Sequence, residues 1–262
     1  MALHTGILLV GTGRAAHHLG HAIVNSGRKL VGVAGRTAAA TDALARSLGT
    51  AAFALDDALP EASLTLLAVS DDAIAAVASR LGARNGTVAH LSGATDLDRL
   101  LPHAHRGALW PVMSLSPGDP LDLRTVPLVV DANGAPAREA LLALAQGLSG
   151  HVVELTTDQR RLVHLAAVLT ANFPVALFAE ARALLHRHAI GPDLLTPLWT
   201  STAAKAATAG PEAALTGPAR RGDRGTLERH QAMLANDPRL QHLYRSLSEL
   251  IATRHTAQAD AH

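Results

Sequence analysis

Through residue 155 this chain alternates short apolar runs with stretches of helical periodicity, and beyond that point no strand pattern returns. Alternation of this kind demands a parallel sheet, because a strand can rejoin its neighbour in parallel only through a crossover long enough to hold a helix. Strands are predicted at Ile7–Val10, Lys29–Ala34, Ala51–Ala54, Ser63–Val69, Thr87–Leu91, Ala108–Val112, Pro127–Val130 and His151–Leu155. Helices are predicted between them at Arg14–Ser26, Thr37–Leu48, Asp72–Leu81 and Ala135–Leu148. A single long helical stretch then runs from Thr157 to His188, with Pro174 expected to kink it or mark its boundary. Further helices are expected at about Asp193–Ala209, Thr226–Ala235 and Pro238–Thr253, followed by a frayed polar tail, His255–His262. The fold class is therefore α/β: a doubly wound sheet domain over residues 1–155, then an all-helical domain over 156–262.

Composition narrows the function classes. Hydrophobic residues make up 48% of the chain and charged residues 17%, which is globular and not disordered. Three Phe, two Trp and one Tyr leave little for base stacking, and 23 basic against 22 acidic residues provide no polyanion footprint, so no nucleic-acid partner is expected. Without cysteine there is no disulfide framework, thiolate metal site or cysteine nucleophile. Neither a signal peptide nor a run approaching the ~20 apolar residues of a membrane span is read, so a cytoplasmic protein with no membrane partner is expected.

The first strand leads directly into Gly11-Thr12-Gly13-Arg14-Ala15-Ala16, a G-x-G-x-x-A pattern. Gly11 permits the tight turn, Gly13 lets backbone approach a pyrophosphate, and Ala16 allows close helix–strand packing. The helix N-terminus then presents free N–H groups to the phosphates. Strand before and helix after are the context that gives this pattern meaning, and they make the first domain a Rossmann-type dinucleotide site. A ribose 2′-hydroxyl site usually carries an acidic residue at the end of the second strand. Here the sequence reads Gly35-Arg36-Thr37, a guanidinium and a hydroxyl suited to a 2′-phosphate, so the cofactor is read as NADP(H). Val69, Ser70 and Asp71 close the fourth strand and are expected beside the nicotinamide ribose, although Ser70 or Asp71 can also cap the next helix. Ser92, after the fifth strand, is a candidate for hydrogen bonding near the nicotinamide; its alternative is a turn serine.

The chain resembles Rossmann-like proteins that carry a helical C-terminal domain of unknown function, relatives of ketopantoate reductase, pyrroline-5-carboxylate reductase and the 6-phosphogluconate dehydrogenase-like group. The loop Gly11–Ala16, the segment His90–Ala94, His164–Ala167 running on to Asn172, and Leu215–Asp223 followed by Thr226 and His230 carry the resemblance. It implies an NADP-binding domain, a helical dimerisation domain and reductase activity. One departure stands out: Trp110-Pro111 occupies the place where this family usually shows His-Pro, so no role for that histidine transfers.

The resemblance also suggests the reacting groups. His164 and Asn172, eight residues apart, fall ~80° from alignment in a regular α-helix and share one broad face. Related dehydrogenases place a lysine and an asparagine on the equivalent helix. His164 is the candidate general acid, Asn172 a substrate-holding group, and Thr216, Arg220, Arg221 and Asp223, read as an interhelical loop, the substrate carboxylate site. Asp223 can alternatively cap the next helix, and Lys205 is a weaker candidate. His17 and His21, spaced i, i+4, form the weak metal alternative, and no metal is assigned. The expected reaction is NADPH-dependent reduction of a small carboxylated carbonyl compound, a 2-keto acid of the ketopantoate kind. A cyclic imine substrate and a non-catalytic NADP-binding sensor are the alternatives. A homodimer through the helical domain is expected, because that domain has few large side chains with which to close a core alone.

Overall fold

The computed structural model describes residues 6–259. Eight strands form one sheet: β1 (Ile7–Val10), β2 (Leu30–Gly35), β3 (Ala52–Ala54), β4 (Leu64–Leu67), β5 (Thr87–His90), β6 (Arg106–Pro111), β7 (Leu128–Ala132) and β8 (Val152–Glu154). Their order is β3-β2-β1-β4-β5-β6-β7-β8. All neighbours pair in parallel except β6 and β7, which run antiparallel. Every expected strand is present, with ends shifted by at most two residues.

The near-continuous apolar strands reflect burial on both faces. Ile7 and Leu9 of β1 join a cluster with α1 (Arg14–Asn25), α2 (Ala38–Ser47) and α4 (Ala135–Leu148). Leu8 and Val10 face the other way, onto Ile74, Val77 and Ala78 of α3 (Ile74–Arg80). The chain changes direction of winding between β1 and β4, and in such sheets ligands bind beyond the strand ends at this switch point.

After β8 come α5 (Thr157–Ala167), a π-helical segment (Val168–Asn172) and α6 (Phe173–Arg187). Proline accounts for the interruption. Pro174 has no N–H for the carbonyl four residues back, and the π register across 168–172 accommodates the gap. The absence of a span-length apolar segment requires correction: Thr157–Arg187 is long and apolar enough by length and composition to cross a membrane, with a mean hydropathy of 1.9 over its most apolar window. His164, Thr170 and Asn172 interrupt the run of apolar letters and hide that average in the sequence.

One compact unit ends at Pro174 and the second begins at Val175. The strands therefore stop where the sequence changes character, but α5 stays with the sheet unit. Thr156 caps α5 through a capping box with Gln159, and Arg160 is completely buried against the sheet.

The second unit contains most of α6, then α7 (Thr196–Ala209), α8 (Pro211–Ala214), α9 (Pro218–Arg221), α10 (Arg224–Met233) and α11 (Pro238–Ala259). The interhelical loop expected around Thr216–Asp223 is in fact partly helical. Pro218, at a first-turn position that needs no N–H, starts the four-residue α9. The expected frayed tail is helical through Ala259, and residues 260–262 lie outside the described part. Phe178 stacks on Trp199 with ring centroids 4.8 Å apart, and Arg182 lies over the Phe178 ring.

Candidate functional site

The glycine loop is built as its residue types require. Gly11 has φ +118°, and a Cβ there would lie 2.2 Å from the Ala68 carbonyl oxygen, so only glycine lets β1 turn this close to the end of β4. Gly13 is the N-cap of α1 and carries no side chain to satisfy the helix's free N–H groups. A Cβ at Gly13 would meet nothing within 4 Å, which leaves open space in front of those donors. Ala16 is fully buried against the sheet. Arg14 and Ala15 continue the first turn.

A cavity of about 500 Å³ opens from this loop. Gly11, Thr12, Gly13, Arg36, Thr37, Val69 and Ser70 all line it, so the structure brings together residues predicted from three separate strand ends. Arg36 and Thr37 are exposed. The cavity and the free helix N-terminus fit a dinucleotide, with the arginine and threonine at its β2 side. Arg80 of α3 also lines the cavity and escaped the sequence reading. An arginine at the end of a short amphipathic helix has no local signal beyond being a solvated charge.

At the end of β5 the readings for Ser92 and Asp71 need correction. Ser92 is buried; its hydroxyl donates to Asp71 Oδ2 at 2.8 Å and accepts from the N–H groups of Ala94 and Thr95 at 3.1 and 3.0 Å. Ser92 is therefore a turn serine whose hydroxyl is occupied. Asp71 does not cap a helix with its side chain but receives Ser92; Ser70 takes the N-cap position without a side-chain bond. The pair ties the ends of β4 and β5 together.

Behind this turn lies a buried ionic network that the sequence did not reveal. Arg160 donates through Nε to Asp131 Oδ2 at 3.2 Å, through Nη1 to the Ser92 carbonyl at 2.8 Å, and through Nη2 to the Thr95 carbonyl at 2.6 Å. Thr157 donates to the same Asp131 oxygen at 2.7 Å. A guanidinium removed from water is tolerable only with its donors met, and here carboxylate and carbonyls meet them. His90 sits beside this charge, fully buried. Burial first, and the Arg160 charge second, hold its pKa down at about 4. It is neutral, with Nδ1 accepting from the Ser92 N–H at 3.2 Å.

One turn beyond Arg160 on α5, His164 packs against the same segment. Its ring lies 5.5 Å from that of Trp110, centroid to centroid. A Cβ on Gly93 would come within 2.6 Å of His164 Cδ2 and 2.7 Å of Trp110 Cε2. Gly93 thus lets imidazole and indole close over the turn. Trp110, noted in the sequence as a departure, supplies the apolar wall on which His164 rests. Asn172 is exposed in the π segment. A π turn adds about one residue to the helix and subtracts ~100°, so His164 and Asn172 come to within ~20° of alignment instead of the ~80° of a regular helix.

In the second unit the predicted carboxylate site looks different. Arg220 Nη1 donates to the carbonyls of Glu212, at 3.0 Å, and Leu215. Through Nη1 it holds together the turn that precedes it. Asp223 caps α10, accepting from the Thr226 N–H at 3.0 Å; these bonds to Thr226 hold its carboxyl below the usual carboxylate range. Thr216, Arg221 and Lys205 are exposed. His17 and His21 do approach, with ring centroids 4.7 Å apart, but among the described residues no group of three metal-ligating side chains forms.

Residues 2–116 match the Rossmann-like domain family, and residues 126–251 match the domain of unknown function DUF2520. No curated protein matches the chain. Among solved structures, a Bacteroides fragilis protein classed as an NADP oxidoreductase is 31% identical, with a TM-score of 0.84 over 95% of this chain and 98% of its own. A Thermotoga maritima protein is 22% identical with a TM-score of 0.78, over 97% of this chain and 99% of its own. A reductive aminase from Aspergillus terreus, solved with NADPH, shares the fold at 18% identity and a TM-score of 0.62, over 97% of this chain and 94% of its own. A Rossmann-like domain with an open phosphate loop, followed by a DUF2520 helical domain, identifies the chain as a member of the family that joins these two domains.

Proposed function

We propose that this protein is an NADPH-dependent oxidoreductase that reduces the C=O group of a small carboxylated compound, a 2-keto acid of the ketopantoate kind. The observation carrying this reading is the cavity of about 500 Å³ that unites the glycine loop with Arg36 and Thr37. Its 31%-identical structural relative being classed as an NADP oxidoreductase supports the same cofactor. NADPH held here would supply hydride. The chain's own residues bind and orient: the first turn of α1 takes the pyrophosphate, and Arg36 takes the 2′-phosphate through its planar fork. Reduction of a carbonyl leaves an oxygen in need of a proton, and His164, held between Gly93 and Trp110, is the donor. Asn172, brought near the same line of the helix by the π turn, holds the substrate oxygen.

A second reading, reduction of a cyclic imine, is favoured by Trp110. The indole makes the surface around His164 apolar, which suits the hydrocarbon ring of a pyrroline-carboxylate-like imine. NADPH consumption against a panel of 2-keto acids and cyclic imines separates the two. Tight NADPH binding with no turnover on either set overturns both and leaves a cofactor-sensing protein. Arg36→Asp is expected to weaken NADPH binding by tenfold or more, about the energy of one charged hydrogen bond, with little change for NADH. Equal losses for the two cofactors would show that Arg36 does not read the 2′-phosphate.

The assembly read is a homodimer through the helices. Leu162, Leu165, Leu169 and Phe173 recur at spacings of three and four along α5 and its continuation, each more than half exposed. Leu198 and Met233 are exposed in the second unit. A stripe of this kind needs a cover, and a second copy supplies an identical apolar stripe for it. The family's fold and the polar His164 and Asn172 within the segment favour a protein partner over lipid.

A further inference from the structure

Arg80 is the one charged group of the cofactor cavity to which the reaction scheme gives no work. The cavity's lining holds two guanidiniums, Arg36 and Arg80, and no carboxylate. The cavity between Asp96 and Arg161, by contrast, sets the carboxylates of Asp96, Asp98, Asp131, Glu154 and Asp158 beside Arg138 and Arg161. The lining of the first cavity also includes Leu55, Ala73, Ala76 and Val77, apolar side chains that suit a flat ring. Outside this lining, Arg80 Nη2 pairs with Asp56 in the turn that follows β3. The neighbouring carboxylate is committed elsewhere: Asp57 Oδ2 accepts from the Ala54 N–H at 2.8 Å and closes the turn. Asp56 keeps a side chain 76% exposed and Arg80 one 45% exposed, so their pair is solvated and weak.

We infer that Arg80 is a second ligand for the cofactor's 2′-phosphate, held at the cavity's edge by Asp56 and transferred from carboxylate to phosphate when NADP(H) binds. This rests on reading the cavity as the nucleotide site. The physical preference is clear: a phosphate offers a dianion and three acceptor oxygens to a planar fork, whereas Asp56 offers one charge in full solvent. Asp56 therefore acts as a placeholder that orients Arg80 and also competes with the ligand. Discrimination against NAD(H) then comes from two arginines approaching from different elements, the β2–α2 turn and α3.

Adenosine 2′,5′-bisphosphate and 5′-AMP differ by the phosphate at issue, and calorimetric titration of the full-length protein with each is the test. Arg80→Ala is expected to weaken the bisphosphate about tenfold while 5′-AMP changes less than about twofold. Arg80→Lys, which keeps the charge without the fork, should recover part of the loss. Asp56→Asn removes the competitor and should tighten the bisphosphate about threefold, leaving 5′-AMP unchanged. Equal losses for both nucleotides in Arg80→Ala would overturn the proposal in favour of packing on the adenine, and weaker bisphosphate binding in Asp56→Asn would overturn the exchange. If Arg36→Ala abolishes the preference for the bisphosphate and Arg80→Ala leaves it intact, the proposal falls while the NADP reading stands. If the unmodified protein binds both nucleotides equally, that reading falls and takes the proposal with it.

Discussion

The two units solve the same problem differently. In the sheet unit every strand from β1 to β7, apart from the edge strand β3, buries apolar side chains, and even a full charge, Arg160, is enclosed. In the helical unit only Ala214, Ala219 and Leu234 are buried among the described residues, and its cohesion includes exposed or half-exposed ion pairs: Arg182–Asp193, Arg187–Asp237 and Arg239–Glu180. A sheet covered by helices on both faces closes its own core, whereas thin alanine-rich helices do not. The lesson is that the first unit closes a core of its own, even though Leu162, Leu165, Leu169 and Phe173 along its last helical stretch stay exposed, while the second unit encloses little by itself.

The largest break in this contrast comes from Arg160. Arg160→Ala leaves Asp131 charged and buried without its partner and should cost about 3–5 kcal/mol in chemical denaturation. The paired replacement Arg160→Met with Asp131→Leu should recover most of that. A pH series sharpens the same point. His90 has its folded pKa at about 4, against about 6.5 when unfolded, so between these values the unfolded chain binds more protons. Its contribution to stability is complete above pH 6.5 and is lost as pH falls toward 4, by up to about 3 kcal/mol. His90→Gln should flatten that slope; an unchanged profile would place the titrating group elsewhere.

His164→Ala should lower turnover by about 100-fold with NADPH affinity nearly unchanged, the signature of a lost proton donor. Near-full turnover on an identified substrate would put the acid elsewhere, with Lys205 and ordered water the next candidates. For assembly, sedimentation at micromolar concentration without detergent should show a dimer. Leu165→Glu should shift it to monomer while cofactor binding persists; a wild-type monomer removes the dimer proposal, and a need for detergent favours the membrane. The smallest effect belongs to the second unit: Arg239→Ala, which breaks an exposed pair, should cost less than about 1 kcal/mol.

Much of this was legible in the letters. Short apolar runs and period-3.6 stretches placed all eight strands and the main helices, because burial of a sheet on both faces dictates those patterns. The glycine loop and Arg36 announced the candidate cofactor cavity that they line together, because their chemistry is carried by consecutive residues whose backbone must turn in one way. The Trp110 departure was visible as a letter, but not its contact with His164. Ser92, read as a ligand or a turn serine, bonds within its turn, and Arg220, read with Arg221 as an anion site, donates through Nη1 to two carbonyls, because a side chain's hydrogen bonds depend on which groups the fold brings beside it. Arg160, Asp131 and Arg80 look like ordinary charges in the sequence. What the sequence determined by itself was the order of elements and the glycine turn between β1 and α1, both written in short-range patterns. Only the tertiary structure decided which charges are buried, that His164 packs against Trp110, and that Asn172 ends a π segment and not a regular turn. Those outcomes join residues 29 to 68 positions apart, or depend on a register that no local pattern encodes.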